Sequence, residues 1–177
     1  WYISEALDIL TKDPEVWKKT IFILCYDEND GYFDHMPPFV APDPAQEGTG
    51  RVSQSINASA EQVPLDQDLK SRPLRFARGG PIGLGFRVPL VIASPWSRGG
   101  RVCSQVFDHT SILQLMEKVL SKKTNKKIEA SNISSWRRAV CGDLSAVFTP
   151  YRGEKTTFPE PLERAGVIES IHKAQFK

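Results

Sequence analysis

A strand-like run that ends in a cluster of acids constrains the fold of this chain more than any other feature. Residues 20–26 are mostly apolar or β-favouring, and residues 27–31 read Asp-Glu-Asn-Asp-Gly. The run lacks the alternation of apolar and polar residues that is typical of a strand with one solvent-exposed face. It therefore predicts a central strand covered on both faces by helices, in an α/β fold. Ligands of open α/β sheets bind beyond the carboxyl ends of such strands. Asp27 and Glu28 are therefore the first candidates for a functional site.

The adjacent carboxylates of Asp27 and Glu28 repel each other, and removal from water raises that cost unless a cation or basic groups share the pocket. A divalent metal ion bound by both carboxylates is the simplest way to offset this repulsion. Carboxylate oxygens suit Mg²⁺, Ca²⁺, Mn²⁺ or Zn²⁺, and the sequence does not choose among them. The alternative is a turn in which the acids cap the next segment and face water, since acids and glycine are common turn residues.

The composition indicates a globular domain of 177 residues, 40% of them hydrophobic. A net charge of +2 gives no general case for binding nucleic acid. A lysine cluster is interpreted as a solvated helix end; it comprises Lys122, Lys123, Lys126 and Lys127. No apolar stretch is long enough to cross a bilayer. The chain begins at Trp1, inside a predicted helix, so we expect it to be a piece of a longer protein.

Periodicity predicts several further elements. The first dozen residues form an amphipathic helix, and residues 13–17 form a short turn capped by Asp13. A second buried strand is expected within residues 87–95. A helix capped by Asp108 or Thr110 follows, and its apolar stripe is predicted to be core: Ile112, Leu115, Met116, Val119 and Leu120. A short helix near residues 161–173 is also expected.

Residues 36–85 are rich in Pro, Gly, Ser, Gln and Ala, and we expect a long loop there. Arg72, Arg75 and Arg78 near its end either face an anionic substrate or are solvated loop charges. Cys103 and Cys141 would be able to pair if the protein is exported, although their sequence separation does not show that they meet.

Five blocks stand out along the chain: residues 26–38 (YDENDGYFDHMPP), 83–89 (GLGFRVP), 94–100 (SPWSRGG), 107–111 (FDHTS) and 135–144 (SWRRAVCGDL). In this order the blocks resemble the bacterial phosphocholine-preferring phospholipase C family, which is related to acid phosphatases and plant non-specific phospholipases C. The resemblance extends over most of residues 1–148.

This resemblance implies an alkaline-phosphatase-like α/β fold, a layered sheet with helices on both faces, present here as a partial domain. Residues 1–148 would be the C-terminal portion of a phosphoesterase catalytic domain, and 149–177 a tail or a link to a following domain. Asp27 and Glu28 match the family's paired acidic metal ligands. His35 lies in the same motif and is a candidate catalytic residue, in or beside the active site, with no role assigned to it. His109, the other catalytic candidate, matches a second block, where capping or support of the ligands is favoured over direct ligation.

The resemblance also implies a function, namely metal-dependent hydrolysis of phosphatidylcholine or sphingomyelin to phosphocholine and the lipid alcohol, by an exported (periplasmic or secreted) protein. The family's other metal motif and its Ser or Thr nucleophile belong to an N-terminal half that these residues do not include. We therefore expect the chain alone to be inactive and to associate through the apolar surface on which that half docks.

Two other functions stay open: an acid-phosphatase-like phosphomonoesterase, and a noncatalytic fragment that binds a partner or a lipid surface. If a choline head is bound, its quaternary ammonium favours an aromatic cage. Tyr32, Phe33 and Trp96 are candidates for that cage, with ordinary packing as the alternative for each.

Overall fold

The computed structural model describes residues 1–71, 73 and 76–176. The protein is mixed α/β, as predicted. Its helices are α1 (Tyr2–Thr11), α2 (Pro14–Trp17), α3 (Leu65–Ser71), α4 (His109–Thr124), α5 (Ser135–Val140) and α6 (Arg164–Gln175). Its strands are β1 (Phe22–Cys25), β2 (Gln62–Val63), β3 (Gly80–Pro81) and β4 (Leu90–Ala93), and 3₁₀ turns lie at Ser59–Glu61 and Ser145–Val147.

Local sequence signals explain where several elements begin and end. Asp13 accepts backbone N–H bonds from Glu15 and Val16 and so caps α2. Asp108 caps α4 in a capping box with Ser111, which confirms one of the two predicted caps. At its other end, α4 stops at Asn125, whose left-handed backbone suits an asparagine.

The predicted strand is β1, and it pairs with β4. All four of its residues are half-buried. The full burial that its composition predicts is therefore not reached among the described residues. β2 pairs with β3 in an antiparallel ladder that joins Gln62 to Pro81 and Val63 to Gly80. The stretch at 36–85 thus holds short elements between irregular segments.

The chain divides into two compact units. The first comprises residues 1–24, 90–101 and 148–177. Within it, the rings of Trp17 and Phe158 meet edge to face at 6.0 Å. The backbone N–H and hydroxyl of Thr149 both donate to the carbonyl of Trp96, at 2.7 Å and 3.1 Å. Residues of the last segment thus contact α2 and the turn that follows β4.

The second unit comprises residues 25–89 and 102–147 and holds a buried hydrophobic cluster centred on Ala41, Ala58 and Trp136. Four partly buried side chains pack against this cluster: Val52, Ile56, Leu84 and Val140. The indole of Trp136, on α5, therefore joins the irregular 36–85 stretch to the C-terminal helical part of the same unit.

The stripe of α4 that was predicted to be core is only partly covered. Met116 and Val119 are each 51% exposed and Leu120 is 38% exposed. The buried residues of this helix are instead Ser111 and Gln114. The prediction is wrong for these three apolar residues, because the side of α4 that faces inward is the one that carries Ser111 and Gln114. None of the described helices is both long enough and apolar enough to cross a membrane.

Candidate active site

The backbone of Tyr26 is held on both sides immediately before the acidic cluster. Its N–H donates to the carbonyl of Pro89 at 3.2 Å, and its carbonyl oxygen lies 2.9 Å from Nε2 of His109. A carbonyl oxygen only accepts hydrogen bonds, so Nε2 of His109 carries the proton that is donated. The Cys25 thiol also donates to this oxygen, at 3.3 Å. His109 thus supports the position from which Asp27 and Glu28 project.

The acidic cluster forms a tight turn. Oε2 of Glu28 accepts the backbone N–H of Asp30 at 2.6 Å. Asp30 and Gly31 have φ values of 50° and 76°, the left-handed region in which glycine and aspartate are tolerated best. The Asn29 side chain donates to the carbonyl of Tyr32, which closes the turn. Each of these bonds is local, which is why the sequence already signals a turn here.

Asp27 and Glu28 are both exposed at this turn. Burial raises the pKa of the Cys25 thiol, and the negative charge of Asp27 raises it further. The Asp27 carboxylate therefore exerts its field on the end of β1. Glu28 takes part in the turn, as the alternative interpretation of these acids expects.

The donor chemistry of this pair suits a hard divalent cation, but the set is incomplete. A calcium ion takes six to eight oxygen ligands and magnesium needs six. Among the described residues, no group of three or more His, Cys, Asp or Glu side chains is placed to hold a metal ion. Two carboxylates alone do not complete the coordination shell of such a cation.

A second anchor fixes the far end of the acidic segment. Asp34 accepts from Nη2 of Arg87 at 2.8 Å and also from Nε of the same guanidinium. The backbone N–H of Met36 donates to Asp34 at 3.1 Å. The Arg87 hydrogen bonds and this backbone bond hold the pKa of Asp34 well below its ordinary value. Phe33 and Phe86 meet edge to face at 5.2 Å beside this pair.

His35 lies next to this ion pair and faces solvent. Its Nδ1 is 3.1 Å from Oδ1 of Asp34, and its side chain is 86% exposed. The structure therefore places His35 beside the acidic segment without a buried contact. Sequence analysis did not single out Asp34 or Arg87, because their partnership spans 53 residues and no local pattern signals it.

A buried charged cluster in the second unit was also not predicted from the sequence. Arg137 reaches Glu61 with Nε (3.0 Å) and Nη2 (2.9 Å), Asp108 with Nη1 (2.7 Å) and the carbonyl of Gly83 with Nη2 (2.7 Å). The side chains of Glu61 and Asp108 are only 4% and 5% exposed. Ser134 donates to Glu61 as well. Arg137 belongs to the SWRRAVCGDL block of the family resemblance, but nothing in the sequence marks it as buried.

The other predicted residues have separate places. Arg72 and Arg75 lie outside the described residues, and the Arg78 guanidinium donates to the carbonyl of Ala77 at 3.0 Å. Trp96 meets Tyr151 edge to face at 5.9 Å, and the Arg98 guanidinium lies 5.6 Å from the centre of the Tyr151 ring. Trp96 thus packs as the alternative interpretation expects.

Two further cage candidates and the cysteines complete the predicted set. Tyr32 and Phe33 are 76% and 81% exposed.

All three cysteines, including Cys103 and Cys141, are free. Cys103 is exposed and Cys141 is buried, so the two do not form the disulfide considered from the sequence.

Two cavities lie elsewhere in the second unit. One of about 330 Å³ is lined by residues that include Gln105, Gln114 and Cys141. The other, of about 660 Å³, is open to solvent and lined by residues from the 42–59 segment. Neither is lined by Asp27 or Glu28. The acidic turn is therefore an open corner, distinct from both cavities.

Comparison with known proteins places the chain in one family. The sequence model of the Phosphoesterase family matches residues 1–121. The chain is 43% identical, over 148 residues and 84% of its length, to the non-hemolytic phospholipase C of Burkholderia pseudomallei. It is also 43% identical, over 176 residues and 99% of its length, to the non-hemolytic phospholipase C of Pseudomonas aeruginosa. Identity to phospholipase C A of Mycobacterium tuberculosis is 38% over 160 residues, 89% of this chain.

These relatives are much longer than this chain. The matched regions span 19% of the Burkholderia protein, 23% of the Pseudomonas protein and 27% of the Mycobacterium protein. Such partial coverage fits the expectation that further parts of a catalytic domain lie outside these residues. Asp27, Glu28, His35 and His109 all fall within the region matched by the family model.

Proposed function

The chain belongs to the phosphoesterase family, and from this premise we propose that it is the C-terminal portion of a phosphoric ester hydrolase of the phospholipase C type. The substrate of the whole protein would be a phospholipid or sphingomyelin, and the products a phosphorylated headgroup, phosphocholine in our proposal, and the lipid alcohol. The names of the relatives support this reaction class. We also propose the layered alkaline-phosphatase-like arrangement for the complete domain, and export as its destination.

The observation that carries the proposal is the exposed Asp27–Glu28 pair at the end of β1, in a chain of this family. We propose that both carboxylates bind a divalent cation in the whole protein, together with ligands from the N-terminal half. What a bound cation supplies to such a reaction is neutralisation of charge at the phosphoryl group and a lower pKa for the hydroxyl nucleophile.

The residues of this chain have positioning tasks in that proposal. The bond from Glu28 to the N–H of Asp30 keeps the turn closed, so that the acids are held in place before a ligand arrives. The bond from His109 to the Tyr26 carbonyl fixes the residue that precedes Asp27. His35 stands beside Asp34 at the rim of the segment, where we propose that it lies close to bound substrate. The nucleophile would come from the N-terminal half.

The test uses the full-length protein and the double variant Asp27→Asn, Glu28→Gln. We expect it to lose its bound divalent metal and at least about 100-fold in phosphocholine release, because charge stabilisation of the reacting group depends on that cation. The matched control is Glu47→Gln with Asp66→Asn, which makes the same chemical change at two exposed acids. Retention of metal and of turnover by the Asp27/Glu28 variant would refute the proposal.

The same assay separates the other two functions. Turnover of an aryl phosphate without turnover of phosphatidylcholine would identify a phosphomonoesterase. Absence of turnover of both substrates, with metal content that does not depend on Asp27 and Glu28, would indicate a noncatalytic binding protein.

A further inference from the structure

We propose that Arg137 is a positioning residue for the Asp27–Glu28 pair and that it acts through Asp108 and His109. The inference rests on the proposed function of that pair as cation ligands. It assigns a task to the SWRRAVCGDL block, which the family resemblance left unexplained. A continuous series of contacts within the second unit leads from Arg137 on α5 to the turn after β1.

The first contact is the ion pair of Arg137 and Asp108. It is 2.7 Å long and mostly removed from water, since the side chains are 17% and 5% exposed. Glu61 binds the opposite edge of the same guanidinium, at 2.9 Å and 3.0 Å. With a carboxylate on either side and the Gly83 carbonyl at a third position, the planar guanidinium has one orientation that satisfies all its partners. Asp108 is thus held from outside α4.

The second contact is the cap that Asp108 makes. Its Oδ1 accepts the backbone N–H of Thr110 at 2.9 Å and the Thr110 hydroxyl at 2.6 Å. The backbone N–H of Asp108 in turn donates to the Ser111 hydroxyl at 3.1 Å. One carboxylate therefore joins Arg137 with one oxygen and the first turn of α4 with the other. A shift of Arg137 moves the start of this helix.

The third contact follows directly, because His109 is the first residue of α4. Its ring donates to the carbonyl of Tyr26, 83 residues earlier in the sequence. Tyr26 adjoins Asp27, so the start of α4 and the acidic pair are joined by one side chain. Precise ligand placement needs support of this kind around the ligands, and loss of it reduces metal affinity or activity by about 10- to 100-fold in known metal sites.

The neighbouring Arg138 provides a matched control. It also makes two bonds to one carboxylate on α4, at 2.8 Å and 2.9 Å, but that carboxylate belongs to Glu117, in the middle of the helix. Both arginines hold α4, and only Arg137 holds the residue next to His109. If Arg137 were merely structural, substitution of either arginine would change stability but would leave the turn at residues 27–32 equally ordered.

The experiment compares Arg137→Lys with Arg138→Lys in the full-length protein. Lysine keeps the charge but cannot serve partners on several edges at once. For Arg137→Lys we expect amide hydrogen exchange at residues 27–32 to accelerate by roughly 3- to 30-fold. We also expect weaker Mn²⁺ binding and a fall in kcat with little change in KM. Arg138→Lys should leave exchange at 27–32, Mn²⁺ affinity and kcat unchanged.

His109 supplies a second route that does not disturb the buried cluster, because its side chain is exposed. His109→Ala should reproduce the faster exchange at residues 27–32, and His109→Gln, which keeps an N–H donor, should restore part of the protection. If exchange at 27–32 is unchanged in both Arg137→Lys and His109→Ala, Arg137 is only structural and the inference is overturned.

The exchange measurement also distinguishes this inference from the proposed function. Faster exchange in a protein that does not turn over phosphatidylcholine would support the positioning role and refute the proposed reaction. If exchange at residues 27–32 is unchanged in Arg137→Lys and His109→Ala while the parent protein hydrolyses phosphatidylcholine, the positioning role is refuted and the proposed reaction is supported.

Discussion

Arg138 holds Glu117 through two parallel hydrogen bonds, from Nη1 to Oε2 at 2.9 Å and from Nη2 to Oε1 at 2.8 Å. The Ala130 N–H adds a third bond to the same carboxylate at 2.6 Å, and the Glu117 side chain is only 13% exposed. The Arg138 hydrogen bonds lower the pKa of Glu117 to about 2, against an ordinary value of 4.5. This pair joins α4 to α5 and makes stability depend on pH.

Glu117→Gln tests that dependence. A folded-state pKa below the unfolded one stabilises the protein above pH 4.5, and this contribution disappears as the pH falls from 4.5 to about 2. We expect Glu117→Gln to cost about 2 kcal/mol at pH 7. The Tm difference from the parent should shrink as pH falls through that window. Thermal unfolding at a series of pH values measures it, with exposed Glu160→Gln as the control. A constant difference would contradict the role assigned to this ion pair.

Glu61→Gln should destabilise the protein more strongly. Glu61 is 3% exposed, and its carboxylate faces Arg137 and Ser134. A neutral amide leaves the buried guanidinium with less compensation, which typically costs about 3 kcal/mol when one partner of a buried pair is removed. Chemical denaturation measures the loss. Asp66→Asn, at an exposed position, should stay within about 0.5 kcal/mol of the parent.

Gly142→Ala is expected to be destabilising for a steric reason. A Cβ there would lie 2.8 Å from the Phe107 ring and 2.5 Å from the Gln105 amide oxygen. The glutamine end is able to move, but the ring is not free to do so without repacking, so we expect a loss of about 1 to 3 kcal/mol. Gly100→Ala, where nothing lies within 4 Å, is the matched control. Equal melting temperatures for the two variants would contradict the close approach.

The cysteines should differ in reactivity. Burial raises the pKa of the Cys141 thiol to about 12, so the thiolate that reacts with alkylating agents is scarce at pH 8. Cys103 is exposed. Iodoacetamide at pH 8 followed by mass spectrometry should modify Cys103 in the native protein and Cys141 only after unfolding. Protection of both residues that is lost on reduction would instead reveal a disulfide.

The exposed part of α4 predicts association of the isolated 177-residue chain. Met116, Val119 and Leu120 present apolar surface to solvent, and such surface favours contact with another protein surface. We expect light scattering to show concentration-dependent oligomers, and Met116→Lys with Val119→Lys to reduce them. The control Lys122→Gln with Lys126→Gln changes charge without removing apolar surface. A monodisperse parent chain would contradict this prediction.

Much of the local structure was predictable from the sequence. The caps at Asp13 and Asp108, the strand before the acids and the turn at 27–31 depend on interactions within a few residues, and propensity and spacing report such interactions directly. The outward stripe of α4 was not predictable, because a helical period identifies an apolar face but does not determine which neighbours cover it.

The family, the position of Asp27 and Glu28 after a strand, and the reaction class worth testing all follow from the order of the residues. The bond from His109 to Tyr26, the pairing of Arg87 with Asp34 and the link that Arg137 makes between Glu61 and Asp108 become visible only in the folded chain. These partners are 83, 53, 76 and 29 residues apart. Such contacts depend on the path of the whole chain. Ion pairing and burial emerge from that path, and no local pattern of residues encodes them.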